Sequence, residues 1–270
     1  MSRYPGLPLD LILIRHGESE GNVADIMWHE KGDDRFKDKI GEKHSYDYRL
    51  TKRGQRQAAL TGAWMRRYLG RFDAFYTSDF ARTKETAAML DLEGARWVPV
   101  TDLREQDLTM PDRSCMTLET ARSDAPENFL TMLTRNHSGD RVVAVCHATV
   151  TRSFLLRLEN TPYVDMSHTD GTLDQTVYNC ELFWYTRKHP VTGEVSDRPR
   201  WKTRVVCYTD IPPKWEDLVW EEVPDVAKTS AELLAEVNDP ENPLLIVQSV
   251  KELDSLIPVR AHNKFMRDLL

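Results

Sequence analysis

Leu11-Ile12-Leu13-Ile14-Arg15-His16-Gly17-Glu18-Ser19 opens as an unbroken apolar run and closes on a cation, an imidazole and a glycine. A run apolar at every position, rather than at alternate ones, predicts a parallel strand buried on both faces, here Leu9–Ile14 with Asp10 at its entrance. In α/β proteins the chemistry gathers where such strands meet their loops. Gly17 permits a sharp turn and close backbone approach, and Arg15 offers a fork of donors matched to phosphate or carboxylate oxygens. An anion site is the first expectation. Taken alone, Arg-His-Gly describes equally well a core strand ending in a hydrogen-bonded histidine beside a solvated arginine, so distant residues must decide.

The rest of the chain bounds the answer. At 270 residues it is long enough for one large α/β domain with embellishments. A net charge of −7 argues against nucleic-acid binding while leaving room for a local basic pocket, so a small anionic molecule is the expected partner. Cys115, Cys146, Cys180 and Cys207 are far apart and form no Cys-x-x-Cys, which points to reduced thiols rather than a disulfide or zinc framework. Residues 1–8 do not resemble a signal peptide and no apolar run reaches membrane-spanning length. A cytoplasmic protein with no membrane contact is expected.

Several further elements are legible. Residues 18–22 can start a helix whose free amides face an anion held by Arg15 and His16. The stretch 24–49 is strongly charged, six Lys and Arg against seven Asp and Glu, and is expected to be an inserted, mobile excursion, with a lid over the site as one of its roles. Thr51 is a helix N-cap followed by Leu60, Trp64 and Tyr68 at fourfold spacing, predicted to pack on the sheet, with Gly70 past the end. Phe72–Thr77 is a second strand, and the helix starting near Ser78 puts Arg82 in its first turn, where a bound anion would offset an unfavourable charge–dipole contact. Trp97–Val100 is strand-like, followed by Glu105 and Asp107. A helix is expected around Glu127–Leu133, and Asp140–His147 repeats the opening pattern of an apolar strand ending in histidine. Thr149–Leu158 is then helical. Val177–Thr186 and Trp201–Tyr208 form a hairpin at the sheet edge. In the tail, Trp215, Leu218 and Trp220 are anchors for the main body or a second subunit, and Ser230–Val237 is a helix.

Together these residues resemble the histidine phosphatase, or phosphoglycerate mutase-like, superfamily. The resemblance rests on Arg15-His16-Gly17-Glu18-Ser19 with Asn22, Leu50-Thr51 with Gly54 and Gln57-Ala58, Ser78 with Arg82 and Thr86-Ala87, Leu103-Arg104-Glu105, and His147 with Arg152. It implies a three-layer α/β/α sandwich with a mostly parallel central sheet, formed by residues 1–208 with the 24–49 insertion. Residues 209–270 would be an extension packed on the domain or on a partner subunit in a homodimer.

The resemblance also implies roles. His16 is the nucleophile, Glu105 the proton donor, and Arg15, Arg82, His147 and, more weakly, Asn22 bind the transferring phosphate; neither metal nor cofactor is required. Asp107 and Glu18 stay open as alternative acids. A phosphatase acting on a small phosphorylated metabolite is expected, since the extra basic stretch that marks the mutases has no counterpart. The alternatives are mutase-type phosphotransfer and a phospho-ligand-binding regulator without turnover.

Overall fold

The computed structural model describes residues 6–36, 40–105, 124–159, 177–209, 212–223, 225 and 227–237. Its backbone contacts divide the chain into Met1–Pro224 and Asp225–Leu270. In the second unit the described element is the helix α6, Ser230–Val237, at the bounds its sequence predicts.

The first unit is built on a seven-stranded sheet in the order β3-β2-β4-β1-β5-β6-β7. The strands are β1 (Asp10–Arg15), β2 (Ala74–Ser78), β3 (Trp97–Val100), β4 (Arg141–Cys146), β5 (Leu182–Thr186), β6 (Trp201–Val205) and β7 (Glu221–Glu222). The pairings β1 with β4, β4 with β2 and β2 with β3 are parallel, while those of β5, β6 and β7 are antiparallel. Only β5 and β7 therefore run against the common direction, so the sheet is mostly but not wholly parallel. β7 was not foreseen, because two exposed glutamates carry no apolar signal, yet it extends the sheet beyond the β5–β6 hairpin.

Both faces of the sheet are covered, which is why β1 and β4 are apolar throughout. Leu11, Leu13, Val142 and Ala144 face α4 (Ala125–Asn136) and α5 (Ala148–Leu158) through Phe129, Leu130, Leu133 and Phe154. Ile12, Ile14, Val143 and Val145 face α2 (Lys52–Tyr68) and α3 (Ala81–Leu90) through Trp64, Met65 and Leu90. Each such Leu, Ile, Val or Phe side chain contributes roughly 1.5–3 kcal/mol on burial, offset by ordering entropy. The result is a three-layer α/β/α sandwich.

Local chemistry sets the helix ends. Thr51 caps α2 by accepting from the Gly54 amide at 3.0 Å. The buried face of α2 runs through Ala58, Thr61 and Met65, and Leu60 is 37% exposed, against the expectation from fourfold spacing. The charged stretch also differs from a loose excursion. Helix α1 (Glu20–Lys31) runs well into it, because Ser19 and Asn22 form a reciprocal capping box and Gly32 closes the helix with φ 63°. A 3-10 turn, Ser45–Asp47, follows before the chain returns at Leu50. At the far end of the sheet Asp10 is buried but satisfied, accepting from Arg141 Nε at 2.5 Å and Trp184 Nε1 at 3.0 Å. Trp215 and Trp220 stack against Trp184, with ring centroids 5.6 and 4.8 Å away.

Candidate active site

Adjacent strands β1 and β4 are in register, with Arg15 opposite Cys146, so the next residues, His16 and His147, leave the sheet side by side. Their onward connections pass over opposite faces, through α2 and α5, and this opens a crevice at the carboxyl ends of the strands. The two imidazoles meet edge to face, centroids 5.2 Å apart.

His16 is fully ordered by its neighbours. Its Nδ1 donates to its neighbour's carbonyl, Gly17 O, at 2.7 Å, which leaves Nε2 as the unprotonated nitrogen, and Arg82 Nε donates to that atom at 3.1 Å. Burial, reinforced by Arg82 and then Arg15, holds the imidazole well below its ordinary pKa. The loop is tightly packed: Gly17 N donates to Thr86 Oγ1 at 3.0 Å, and a Cβ on Gly17 would lie 2.6 Å from Gly54 O. That approach accounts for the glycine at position 17.

Arg82 projects from the first turn of α3 and is buried despite its charge. Its guanidinium lies 4.9 Å over the Phe80 ring, and Nη1 donates to Ser45 O at 2.8 Å. Arg15 donates to Val177 O, and its Nε is buried without a hydrogen-bond partner. His147 Nε2 pairs with Ser78 Oγ at 3.0 Å; its Nδ1 is also buried and unpartnered, with Glu105 Oε2 3.6 Å away, too far for a hydrogen bond. Desolvation, then His16, Arg82 and Arg15, keep His147 neutral. Glu105 accepts from Thr149 Oγ1, and burial raises its carboxyl to about 7 against the pull of Arg82 and Arg15.

Asn22 contributes less than its neighbours. Its Oδ1 accepts from Ser19 N, Ser19 Oγ and Asn179 Nδ2, so the amide NH2 is what it can offer a ligand. Arg15, His16, Asn22, Arg82 and Glu105 line one cavity of about 180 Å3, together with Ser19, Asp25, Ser45 and Tyr48. The predicted residues thus converge, with His147 behind them.

Glu18 does not enter this set. It is buried against Thr51 Oγ1 at 2.6 Å and pairs with Arg53, while its amide donates to Gln57 Oε1, so its work is to seat the first turn of α2. Asp107 lies outside the described residues. Ser78, Thr149, Ser45 and Asn179 had no assigned role; Asn179 donates to His16 O at 3.1 Å and steadies the loop. Ser78 was visible through its place beside Arg82, whereas Ser45 acts through its carbonyl, for which side-chain patterns hold no signal.

His16, Glu105 and His147 bring three potential ligand atoms within 4.8 Å of one another. Two guanidiniums beside them make the site far better suited to an anion than to a cation. The fold and this cluster define a phosphatase-type α/β enzyme. Residues 11–131 match the model of the histidine phosphatase superfamily (branch 1). The matched stretch ends ahead of β4, so His147 joins the site by geometry. No curated protein matches the chain.

Among solved structures, the chain is similar to Entamoeba histolytica phosphoserine phosphatase in complex with 3-phosphoglyceric acid, at 18% identity and TM-score 0.46, covering 66% of this chain and 90% of that one. It is also similar to mycobacterial hydrolase 1, at 16% and 0.49 with 82% and 99% covered, and to Bacillus stearothermophilus YhfR, at 20% and 0.48 with 70% and 98% covered. Among the described residues no helix is long and apolar enough to cross a membrane.

Proposed function

We propose that the protein hydrolyses a small phosphorylated metabolite through a phosphohistidine intermediate on His16. One observation carries this reading: a lone pair on His16 Nε2 faces a guanidinium, with the buried Arg15 Nε donor and one buried ring nitrogen of His147, Nδ1, left unpaired beside it. A buried unpaired donor costs about 1–3 kcal/mol, a penalty that phosphoryl oxygens would remove.

In the first half-reaction Arg82 leaves Nε2 for the phosphoryl oxygens, and the Nε2 lone pair attacks phosphorus as the bond to the leaving oxygen breaks. Glu105 protonates that oxygen, the form its raised carboxyl favours below pH 7. In the second, a water attacks the phosphohistidine, Glu105 takes its proton, and the N–P bond breaks to return neutral His16 and phosphate. Arg15, Arg82 and His147 compensate charge on the nonbridging oxygens, with Asn22 as a lesser donor.

The test is an acid-free quench during turnover of a phosphate-labelled monoester, followed by location of the label. Label on His16, with neither label nor turnover in His16→Ala, is the expected result. Label on Ser19, or on no residue while turnover is intact, overturns the assignment.

A further inference from the structure

A cavity of about 340 Å3 lies at the amino ends of β1 and β4, lined chiefly by Asp10, Trp184, Lys188, His189, Trp215 and Trp220. It shares no residue with the phosphate chamber, from which the length of β1 separates it by about 17 Å. Hydrogen bonds and ring contacts fix its walls. Trp184 Nε1 donates to Asp10 Oδ1 at 3.0 Å, and Trp215 and Trp220 pack against the Trp184 ring. Their segment is tied to α2, because Trp64 Nε1 donates to Pro213 O at 2.6 Å. His189 sits in a turn whose Val191 and Thr192 amides both donate to its Nδ1 at 3.1 Å, and its ring lies 4.6 Å from that of Trp201.

The polar side chains of this lining are mostly donors. Asp10 is engaged by Arg141 and Trp184, while Thr186 Oγ1 donates to Leu9 O and accepts from Lys188 N. With Nδ1 accepting, His189 carries its hydrogen on Nε2. That N–H, the Lys188 ammonium and the indole N–H groups of Trp215 and Trp220 have no acceptor among the described residues. Arg141 is balanced by Asp10, so Lys188 is left as one uncompensated positive charge on the wall. We propose that this cavity is a second ligand site, which takes a compact aromatic carboxylate. Its ring body lies against Trp184, Trp215 and Trp220, and its carboxylate meets Lys188 and His189. The volume stands at the lower end of small-molecule sites, roughly 300–1,000 Å3, which suits one or two rings. A single uncompensated cation matches a carboxylate better than a phosphate dianion. An aromatic amine would find the same indole faces but would be repelled by Lys188.

Calorimetric titration of the full chain tests the site, with inorganic phosphate in excess so that the phosphate chamber is filled. Three probes share one ring system: indole-3-acetate, tryptamine and 3-methylindole. Indole-3-acetate should bind about tenfold more tightly than tryptamine, with neutral 3-methylindole between them. Lys188 is exposed, so Lys188→Glu leaves the fold intact, and it should reverse the order of the acetate and the amine. Trp220→Ala should weaken indole-3-acetate and 3-methylindole alike, by about tenfold. Because Trp220 also packs the end of the sheet, Lys188→Glu is the deciding variant. No binding of indole-3-acetate, an order of affinities that Lys188→Glu leaves unchanged, or binding abolished by inorganic phosphate overturns the second site. None of these results bears on the His16 chemistry, which the labelling experiment tests separately.

Discussion

Glu105 carries its proton up to about pH 7 because burial outweighs two nearby guanidiniums, while burial and those same cations hold His16 well below the ordinary histidine range. The working form pairs a protonated Glu105 with a neutral His16. kcat/KM should therefore rise as His16 loses its proton below its usual 6.5, then fall above about 7 as Glu105 loses its own. Glu105→Gln should abolish the alkaline limb and cut kcat by roughly 10²–10⁴ for alkyl phosphates, with much less effect on nitrophenyl phosphate, whose leaving group needs no acid. Equal losses on both would make Glu105 structural and shift attention to Asp107. With charge handled by Arg15, Arg82 and His147, EDTA should leave turnover unchanged; a loss restored by magnesium would contradict that account.

At the scale of elements, the nucleophile loop is held by the close seat of α2 beneath it. A Cβ on Gly54 would stand 2.0 Å from Glu18 O, and one on Gly62 would stand 1.9 Å from Leu90 O, both rigid backbone atoms. Alanine at either position gains about 1 kcal/mol of helix propensity, yet Gly54→Ala and Gly62→Ala should each lower stability by about 1–3 kcal/mol in urea denaturation. A neutral or stabilised variant would show that α2 slides without cost. Because the clash at Gly54 falls on the loop carrying His16, that variant should also lose activity under conditions where it stays folded, and Gly62→Ala should not.

Across the whole molecule, the Trp184, Trp215 and Trp220 cluster closes the end of the sheet opposite the active site. Trp220→Ala should cost about 1–3 kcal/mol, less than a fully buried tryptophan, and lower Tm while turnover below the transition persists. Parallel loss of activity and stability would tie the two ends together. The amino-acid sequence by itself determined the elements whose side chains meet a uniform environment. β1 and β4 are buried on both faces and so apolar throughout, Thr51 caps a helix by local hydrogen bonding, and a strand that ends in histidine exposes it at a loop. It also determined the charge logic of Arg15 and Arg82. Only the tertiary structure decided what depends on distant chain segments meeting. Leu60 faces solvent because the seat of α2 is chosen by glycine contacts with Glu18 and Leu90. Glu221–Glu222 becomes a strand because β6 offers an unpaired edge. Ser45 and Asn179 join the site through backbone carbonyls, Ser45 as acceptor from Arg82 and Asn179 as donor to His16 O. Periodicity and capping are written in neighbouring residues, whereas a backbone atom carries the same chemistry at every position and gains a role only from what the fold brings against it.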